Sequence, residues 1–131
     1  MRVILIAFAG LLVGCTTLGT NAATNSSKEN EKVLRHIVLF QWNDQTSEEK
    51  ISEITSSFAE LPSKIPQIID FEYGLNNSPE GLDKGFTHCF MVTFATEKDR
   101  EIYLPHPDHQ AFVKLIGDHV KDVLVVDYWT E

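Results

Sequence analysis

The amino-acid sequence predicts an α+β domain in which four β-strands and two helical regions alternate in the order β-α-β-β-α-β. Two observations support this order. Four runs rich in β-branched and aromatic residues are separated by segments whose apolar residues recur at helical spacing. The first and last runs are apolar on both faces, which is typical of strands that must be covered on both sides. With 131 residues, 43% of them hydrophobic, the chain suits one such domain.

The charge and the cysteine content argue against several classes of protein. The net charge is −8 and the basic residues form no stripe or cluster, which argues against binding of nucleic acid or of anionic lipid headgroups. The two cysteines, Cys15 and Cys89, lack the spacing of a zinc site or of a disulfide framework. We therefore expect neither a metal centre built from cysteines nor a nucleic-acid partner.

The first 14 residues have the layout of a secretory signal. Arg2 precedes the apolar run 3–13, which is too short to span a bilayer as a stable helix. The run leads into Leu12–Cys15 (LVGC), which resembles the bacterial lipobox, where the cysteine is lipidated and becomes the new N-terminus. Several acyl chains on one cysteine form a lasting anchor. We therefore expect an exported protein that is lipid-anchored in the cell membrane or outer membrane; ordinary cleavage near 22–23 is the alternative.

Residues 15–33 are rich in Thr, Asn and Ser and contain little that a core could bury. This composition is typical of a flexible tether between an anchor and a domain. We therefore divide the chain into a signal peptide at 1–14, a lipidated cysteine and tether at 15–33, and a folded domain at 34–131.

The first half of the domain predicts a strand, a helix and a second strand. Residues 34–42 are apolar on both faces and predict a strand. Thr46–Glu49 has the form of a capping box with the threonine as N-cap. Apolar residues then follow at helical spacing, and we expect the helix to end before Pro62. Residues 68–74 predict the second strand, and 75–85 a long polar connection.

The second half predicts two strands around a broken helix. Residues 86–94 predict the third strand, 96–103 a short helix that prolines interrupt, 108–119 its continuation, and 123–129 the last strand. This order is that of a ferredoxin-like subunit, an antiparallel sheet with its helices on one face. Because the helices cover only that face, we expect a second copy of the sheet to cover the other face in a homodimer.

Residues 103–109 place a phenol, two imidazoles and a carboxylate in one turn region. Pro107 suits the first position of a new helix, so His109 falls in its first turn. There the helix dipole opposes a positive imidazolium and favours a neutral His109 that accepts a proton. Tyr103 lies just upstream as its acid or orienting partner. The alternative is a loop punctuated by prolines, whose histidines only cap helices and fill gaps.

Two further histidines lie near the starts of strands. His36 and His88 are each two residues into the first and third predicted strands, on the aromatic face. We take these strands to be adjacent and parallel, and so expect the two histidines to be neighbours. The alternative is a pair of core histidines with satisfied hydrogen bonds. A metal ion would need a carboxylate among them, for which Asp108 is the only near candidate. We predict a site without metal or cofactor, with a metal site as the weaker alternative.

Four pieces of sequence carry a resemblance to a known family: 34–40 (LRHIVLF), 85–88 (GFTH), 103–109 (YLPHPDH) and 127–128 (DY). Together they resemble the stress-responsive A/B barrel domain, or Dabb, family over 34–131. The resemblance implies a ferredoxin-like subunit that dimerises into an α/β barrel. It also implies a family of mixed function. Many members are known only as stress-associated proteins, and some plant relatives are polyketide cyclases that use a tyrosine and a histidine as acid and base.

The resemblance implies that this acid–base pair corresponds to Tyr103 and His109, with His36 and His88 lining the same cavity. We predict that His36, His88 and His106 bind the ligand. An acidic surface and an apolar lining suit a neutral aromatic or polyketone-like compound. We therefore predict a membrane-anchored homodimer that binds a small apolar ligand in a pocket between sheet and helices. Two alternatives stay open: a cofactor-independent cyclase- or isomerase-like enzyme that uses Tyr103 and His109, and a non-catalytic stress or interaction module with no pocket.

The lipid anchor is testable at Cys15. A chain carrying Cys15→Ala lacks the thiol that accepts the acyl chains, so we expect it to keep an uncleaved signal and no lipid mass. Mass spectrometry of the protein purified from a bacterium that exports lipoproteins measures both. Cys89→Ala is the matched control and should be lipidated and cleaved normally. A Cys15→Ala protein with the same processed mass as the control would show that the lipobox interpretation is wrong.

Overall fold

The computed structural model describes residues 31–131, so the signal peptide predicted at 1–14 and most of the tether predicted at 15–33 lie outside the described residues. The elements follow the predicted order. They are β1 (Leu34–Trp42), α1 (Glu48–Lys64), β2 (Ile68–Leu75), β3 (His88–Phe94), α2 (Glu97–Tyr103), α3 (Pro107–Ile116), a 3-10 turn (Gly117–His119) and β4 (Val120–Trp129). Within 31–131, no helix has the length and apolar character needed to cross a membrane.

The four strands form one antiparallel sheet in the order β2-β3-β1-β4. This topology confirms the ferredoxin-like prediction. Alternate residues of β1 and β3 point to the helices and are buried in one continuous core. The core therefore lies between the sheet and the helices, as the period-2 pattern of the strands requires.

Helix α1 closes the core through one apolar stripe, formed by Ile54, Phe58 and Leu61, all buried. These residues recur at i, i+4 and i+7, so they share one face of the helix. Phe58 stacks on Phe90 of β3 at 4.7 Å between ring centroids and packs on Phe112 of α3 at 4.4 Å. Full burial of such a side chain stabilises the fold by about 1.5–3 kcal/mol.

Both predicted ends of α1 are wrong. The N-cap is Ser47, whose hydroxyl accepts from the Lys50 amide, whereas the Thr46 hydroxyl donates to the backbone oxygen of His119. Pro62 does not end the helix, which continues to Lys64. Leu61 and Ile65 are 2% and 0% exposed, so the final turn buries two core side chains across the proline. That burial offsets the backbone hydrogen bond that Pro62 cannot donate.

The expectation that His36 and His88 are neighbours is also wrong. Strands β1 and β3 are adjacent but antiparallel, with His36 opposite Val92 and His88 opposite Phe40. In a β-α-β-β unit the returning strand of the hairpin lies between two parallel strands, so it runs against both. The two histidines are therefore four residues apart along the sheet, about 13 Å at the usual rise of a strand.

The outer face of the sheet, which the helices do not cover, carries apolar side chains on each inner strand. Ile37 and Leu39 of β1 and Met91 of β3 are half-buried there, and Leu124 and Val126 of β4 are each 45% exposed. On the helix-facing side of β4, Val123 and Val125 are exposed as well. The prediction of strands that are apolar on both faces is therefore confirmed for β1 and β4.

Candidate functional site

The candidate site forms where α2 meets α3 over the sheet. Thr96 caps α2, and the backbone of Tyr103 ends it. His106 then caps α3, with its Nδ1 accepting from the Asp108 amide at 3.3 Å and Pro107 at the first helical turn. His106 was predicted to bind ligand, and here its Nδ1 holds the start of the helix. For this histidine the capping alternative describes the geometry.

Tyr103 is the most enclosed side chain of the site, with 0% exposure. Its ring centroid lies 5.1 Å from that of Phe94, 5.9 Å from that of His36 and 4.2 Å from that of His109. Its hydroxyl is buried and has no hydrogen-bond partner among the described residues. Burial raises the pKa of the Tyr103 phenol, so the group stays protonated and can only donate or accept as O–H.

His109 contacts Tyr103 from the first turn of α3. Its Nδ1–H donates to the backbone oxygen of Leu104 at 2.8 Å, and the side chain of Gln110 donates to the same oxygen. Burial lowers the pKa of His109, although the bond to Leu104 opposes this shift. His109 is therefore neutral at pH 7. Because Nδ1 carries the proton, Nε2 carries the lone pair that can accept one.

A row of charged and polar groups adjoins the tyrosine. His36 is buried, and its Nδ1 lies 2.6 Å from one carboxylate oxygen of Asp127 on β4. The other carboxylate oxygen of Asp127 accepts from Arg100 of α2 at 2.6 Å. The carboxylate orients the imidazole, and the guanidinium holds the carboxylate, as outer groups do for functional histidines.

The roles of Arg100 and Asp127 were missed by the sequence analysis. The sequence does single out Asp127, because it is the one carboxylate in the apolar run 123–129. The strand register places it directly opposite His36. The sequence does not single out Arg100, because nothing in the spacing of α2 shows which strand its side chain reaches.

His88 lies at the other end of the sheet and does not join the site. Its Nδ1 accepts from the indole N–H of Trp42 at 2.9 Å and lies 2.9 Å from the hydroxyl of Thr87. Burial lowers the pKa of His88. The structure thus brings together Tyr103, His109 and His36. His88 is half-buried away from them, with its Nδ1 hydrogen-bonded to Trp42.

One cavity lies beside the sheet, on the face that the helices do not cover. A hollow of about 830 Å³ lies on its outer face, between Ile37, Leu39 and Met91 below and Leu82 and Phe86 of the β2–β3 connection above. This hollow is not the pocket predicted between sheet and helices, and neither Tyr103 nor His109 lines it.

Within residues 31–131, no three His, Cys, Asp or Glu side chains are grouped so that they could hold a metal ion.

This fold and this sequence define the family. The chain belongs to the stress responsive A/B barrel domain (Dabb) family, which matches residues 34–130. The stress-response A/B barrel domain-containing protein HS1 of Arabidopsis thaliana is 33% identical over 101 residues, which cover 77% of this chain and 93% of that protein. Olivetolic acid cyclase of Cannabis sativa is 24% identical over 95 residues, which cover 72% of this chain and 94% of that protein. The resemblance noted in the sequence is confirmed.

Solved structures show the same fold. A hydroxynitrile lyase from Passiflora edulis superposes with a TM-score of 0.72 at 24% identity and covers 77% of this chain and 95% of that chain. A dimeric protein of unknown function and ferredoxin-like fold from Bacteroides fragilis superposes with a TM-score of 0.61 at 30% identity and covers 75% of this chain and 96% of that chain. The ferredoxin-like subunit is thus shared across enzymes and proteins without an assigned activity.

The lowered pKa of His109 predicts how stability depends on pH. Its ordinary value is 6.5 and its value in the folded chain is lower. Below pH 6.5 the unfolded chain therefore takes up a proton before the folded chain does, and the free energy of unfolding falls as the pH drops towards the folded value. His109→Gln should lose part of this fall. Urea unfolding at a series of pH values from neutral to mildly acidic measures it; a curve parallel to the wild type would contradict the buried neutral imidazole.

Proposed function

We propose that this chain binds a small, mainly apolar carbonyl compound against Tyr103 and His109 and moves a proton on it without a cofactor. The observation that carries the proposal is the buried hydroxyl of Tyr103, which has no hydrogen-bond partner among residues 31–131, on a ring that packs against an imidazole of His109 that burial keeps neutral. A buried hydroxyl that makes no hydrogen bond costs about 1–3 kcal/mol. A ligand oxygen that accepts from Tyr103 would recover that free energy.

The two side chains suit different roles in such a reaction. His109 Nε2 takes a proton from the carbon next to the carbonyl group, the C–H electron pair forms the carbon–carbon double bond of an enolate, and the negative charge moves to the oxygen. Tyr103 donates a hydrogen bond to that oxygen. Because burial raises the pKa of Tyr103, it keeps its proton, and His109 returns the transferred proton to the product. Isomerisation and ring closure are both of this type.

His36 supports the pair from the sheet. Its imidazole meets the Tyr103 ring edge-on, and the ion pair of Asp127 with Arg100 holds it in one orientation. Two of the similar proteins are enzymes by their names, an olivetolic acid cyclase and a hydroxynitrile lyase. These relatives support catalysis or ligand binding for the family fold; the assignment to Tyr103 and His109 is the proposal.

The homodimer and the membrane location are part of the same proposal. The apolar outer face of the sheet suits a second copy of the chain, and the relative from Bacteroides fragilis is described as dimeric. The lipobox at Leu12–Cys15 and the tether at 15–33 favour a lipid-anchored, exported protein in the cell membrane or outer membrane. We propose a homodimer that stands clear of the membrane on this tether.

The acid–base roles are testable by paired substitutions. A thermal-shift screen of residues 31–131 with small ketones identifies a bound compound, and turnover is followed by exchange of the proton next to its carbonyl group in D₂O. His109→Ala should lower the exchange rate by about 10²–10⁴ through loss of the base. Tyr103→Phe should lower it by about 10²–10³ through loss of one donor to the oxyanion.

Matched controls lie outside the site. His119→Ala and Tyr73→Phe replace the same residue types at the 3-10 turn and at the β2 edge, and should keep the wild-type rate. Exchange that survives both Tyr103→Phe and His109→Ala would end the catalytic assignment. Binding without exchange in the wild type would favour a non-catalytic binding protein, and stabilisation by no ketone would favour the interaction module.

The homodimer is testable by light scattering. Residues 31–131 should have twice the monomer mass at micromolar concentration. Leu124→Glu places a charge on the apolar outer face and should give monomers, because a buried, unpaired charge opposes association. Ile102→Glu changes an exposed apolar residue of α2 on the helix side and should leave the dimer intact. A stable monomeric wild type would refute the dimer.

A further inference from the structure

The space between the sheet and the helices is filled by aromatic rings. Phe40, Phe58, Phe90 and Phe112 are each 5% exposed or less. The ring centroids of Phe58 and Phe112 are 4.4 Å apart, those of Phe58 and Phe90 are 4.7 Å apart, and those of Phe40 and Phe90 are 5.2 Å apart. Such separations are those of rings in direct contact.

This filling reaches the candidate site through α3. Phe112 lies three residues after His109, so the two side chains are neighbours on one face of the helix. Phe94 lies against Tyr103 from the strand side. A ligand that touches both Tyr103 and His109 is therefore bounded by Phe112 in the direction of His88 and cannot extend through the core. A larger ligand would have to displace a buried phenylalanine, whose burial stabilises the fold by about 1.5–3 kcal/mol.

The site is less covered towards β4. Asp127 faces the helices there and is partly exposed, and Val125, two residues away on the same face, is 49% exposed. Val123 continues this uncovered stripe. A ligand that reaches Tyr103 and His109 from this side passes the ion pair of Asp127 with Arg100.

We propose that the site accepts only a compact carbonyl compound, no larger than a single ring, and that Phe112 sets this limit. The inference rests on the proposed function and names the substrate class of the same site. It narrows the sequence-based expectation of an aromatic or polyketone-like ligand, because an extended molecule of that kind needs the volume that Phe58 and Phe112 occupy. The ligand lies against Tyr103 and His109, with its apolar side towards Val125.

The test compares two probes by NMR on residues 31–131, which contain the whole continuous core and the whole family domain. The probes are cyclopentanone and 2-acetylnaphthalene, and the readout is the chemical shift of the His109 ring. This readout is blind to binding in the outer hollow, which His109 does not line. We expect cyclopentanone to shift the His109 signal in the wild type, and 2-acetylnaphthalene to leave it unchanged.

Substitution of Phe112 should allow the larger probe to bind. Phe112→Leu should bind 2-acetylnaphthalene at His109 at least about tenfold more tightly than the wild type, a difference of about 1.4 kcal/mol. Phe71→Leu shortens another ring that packs on Phe58, farther from His109 along the cluster, and should gain nothing. Phe112→Met replaces Phe112→Leu if the leucine variant does not fold.

The outcomes separate the two levels of the proposal. A wild-type chain whose His109 signal responds to 2-acetylnaphthalene as strongly as to cyclopentanone overturns the size limit and leaves the proposed function standing. A folded Phe112 variant without the gain also overturns it. If neither probe shifts His109, or if Tyr103→Phe leaves the cyclopentanone shift unchanged, the proposed function itself is wrong.

Discussion

The rest of the structure depends on the double pairing of β1, which bonds to β3 on one side and to β4 on the other. This pairing sets the register that places Asp127 opposite His36, and it puts the aromatic residues of β1 and β3 on one face. The helices then cover that face only. A shift of one residue in either pairing would turn His36 away from Tyr103 and expose the core side chains, so register and site are determined together.

The site combines two side chains that burial keeps uncharged, Tyr103 and His109, with one ion pair, Arg100 and Asp127. Burial keeps the phenol of Tyr103 protonated and the imidazole of His109 neutral. Arg100 and Asp127 form an ion pair at the partly exposed edge towards β4. These groups suit the neutral ligand that we propose, because it would bring no unpaired charge into the low-dielectric interior.

The two faces of the sheet differ in how far side chains fill the space beside them. On the helix side the space is filled by Phe58 and its aromatic neighbours, so the ligand that we propose is limited to the end near Tyr103. On the outer side the surface is apolar and open, and it has the hollow beneath Leu82. In this fold, function depends on which of these volumes side chains fill, a property of individual residues and not of the topology.

The sequence by itself determined the order of the elements, the proline break between α2 and α3, the doubly apolar strands and the pairing of Tyr103 with His109. These follow from periodicity and local chemistry, which act over a few residues. Only the tertiary structure decided that β1 and β3 are antiparallel, which parts His36 from His88, and that Arg100 reaches Asp127. It also decided that α1 continues past Pro62, because burial of Ile65 outweighs a local signal. Strand direction, long side-chain reach and core burial join residues far apart in the chain, so no local pattern records them.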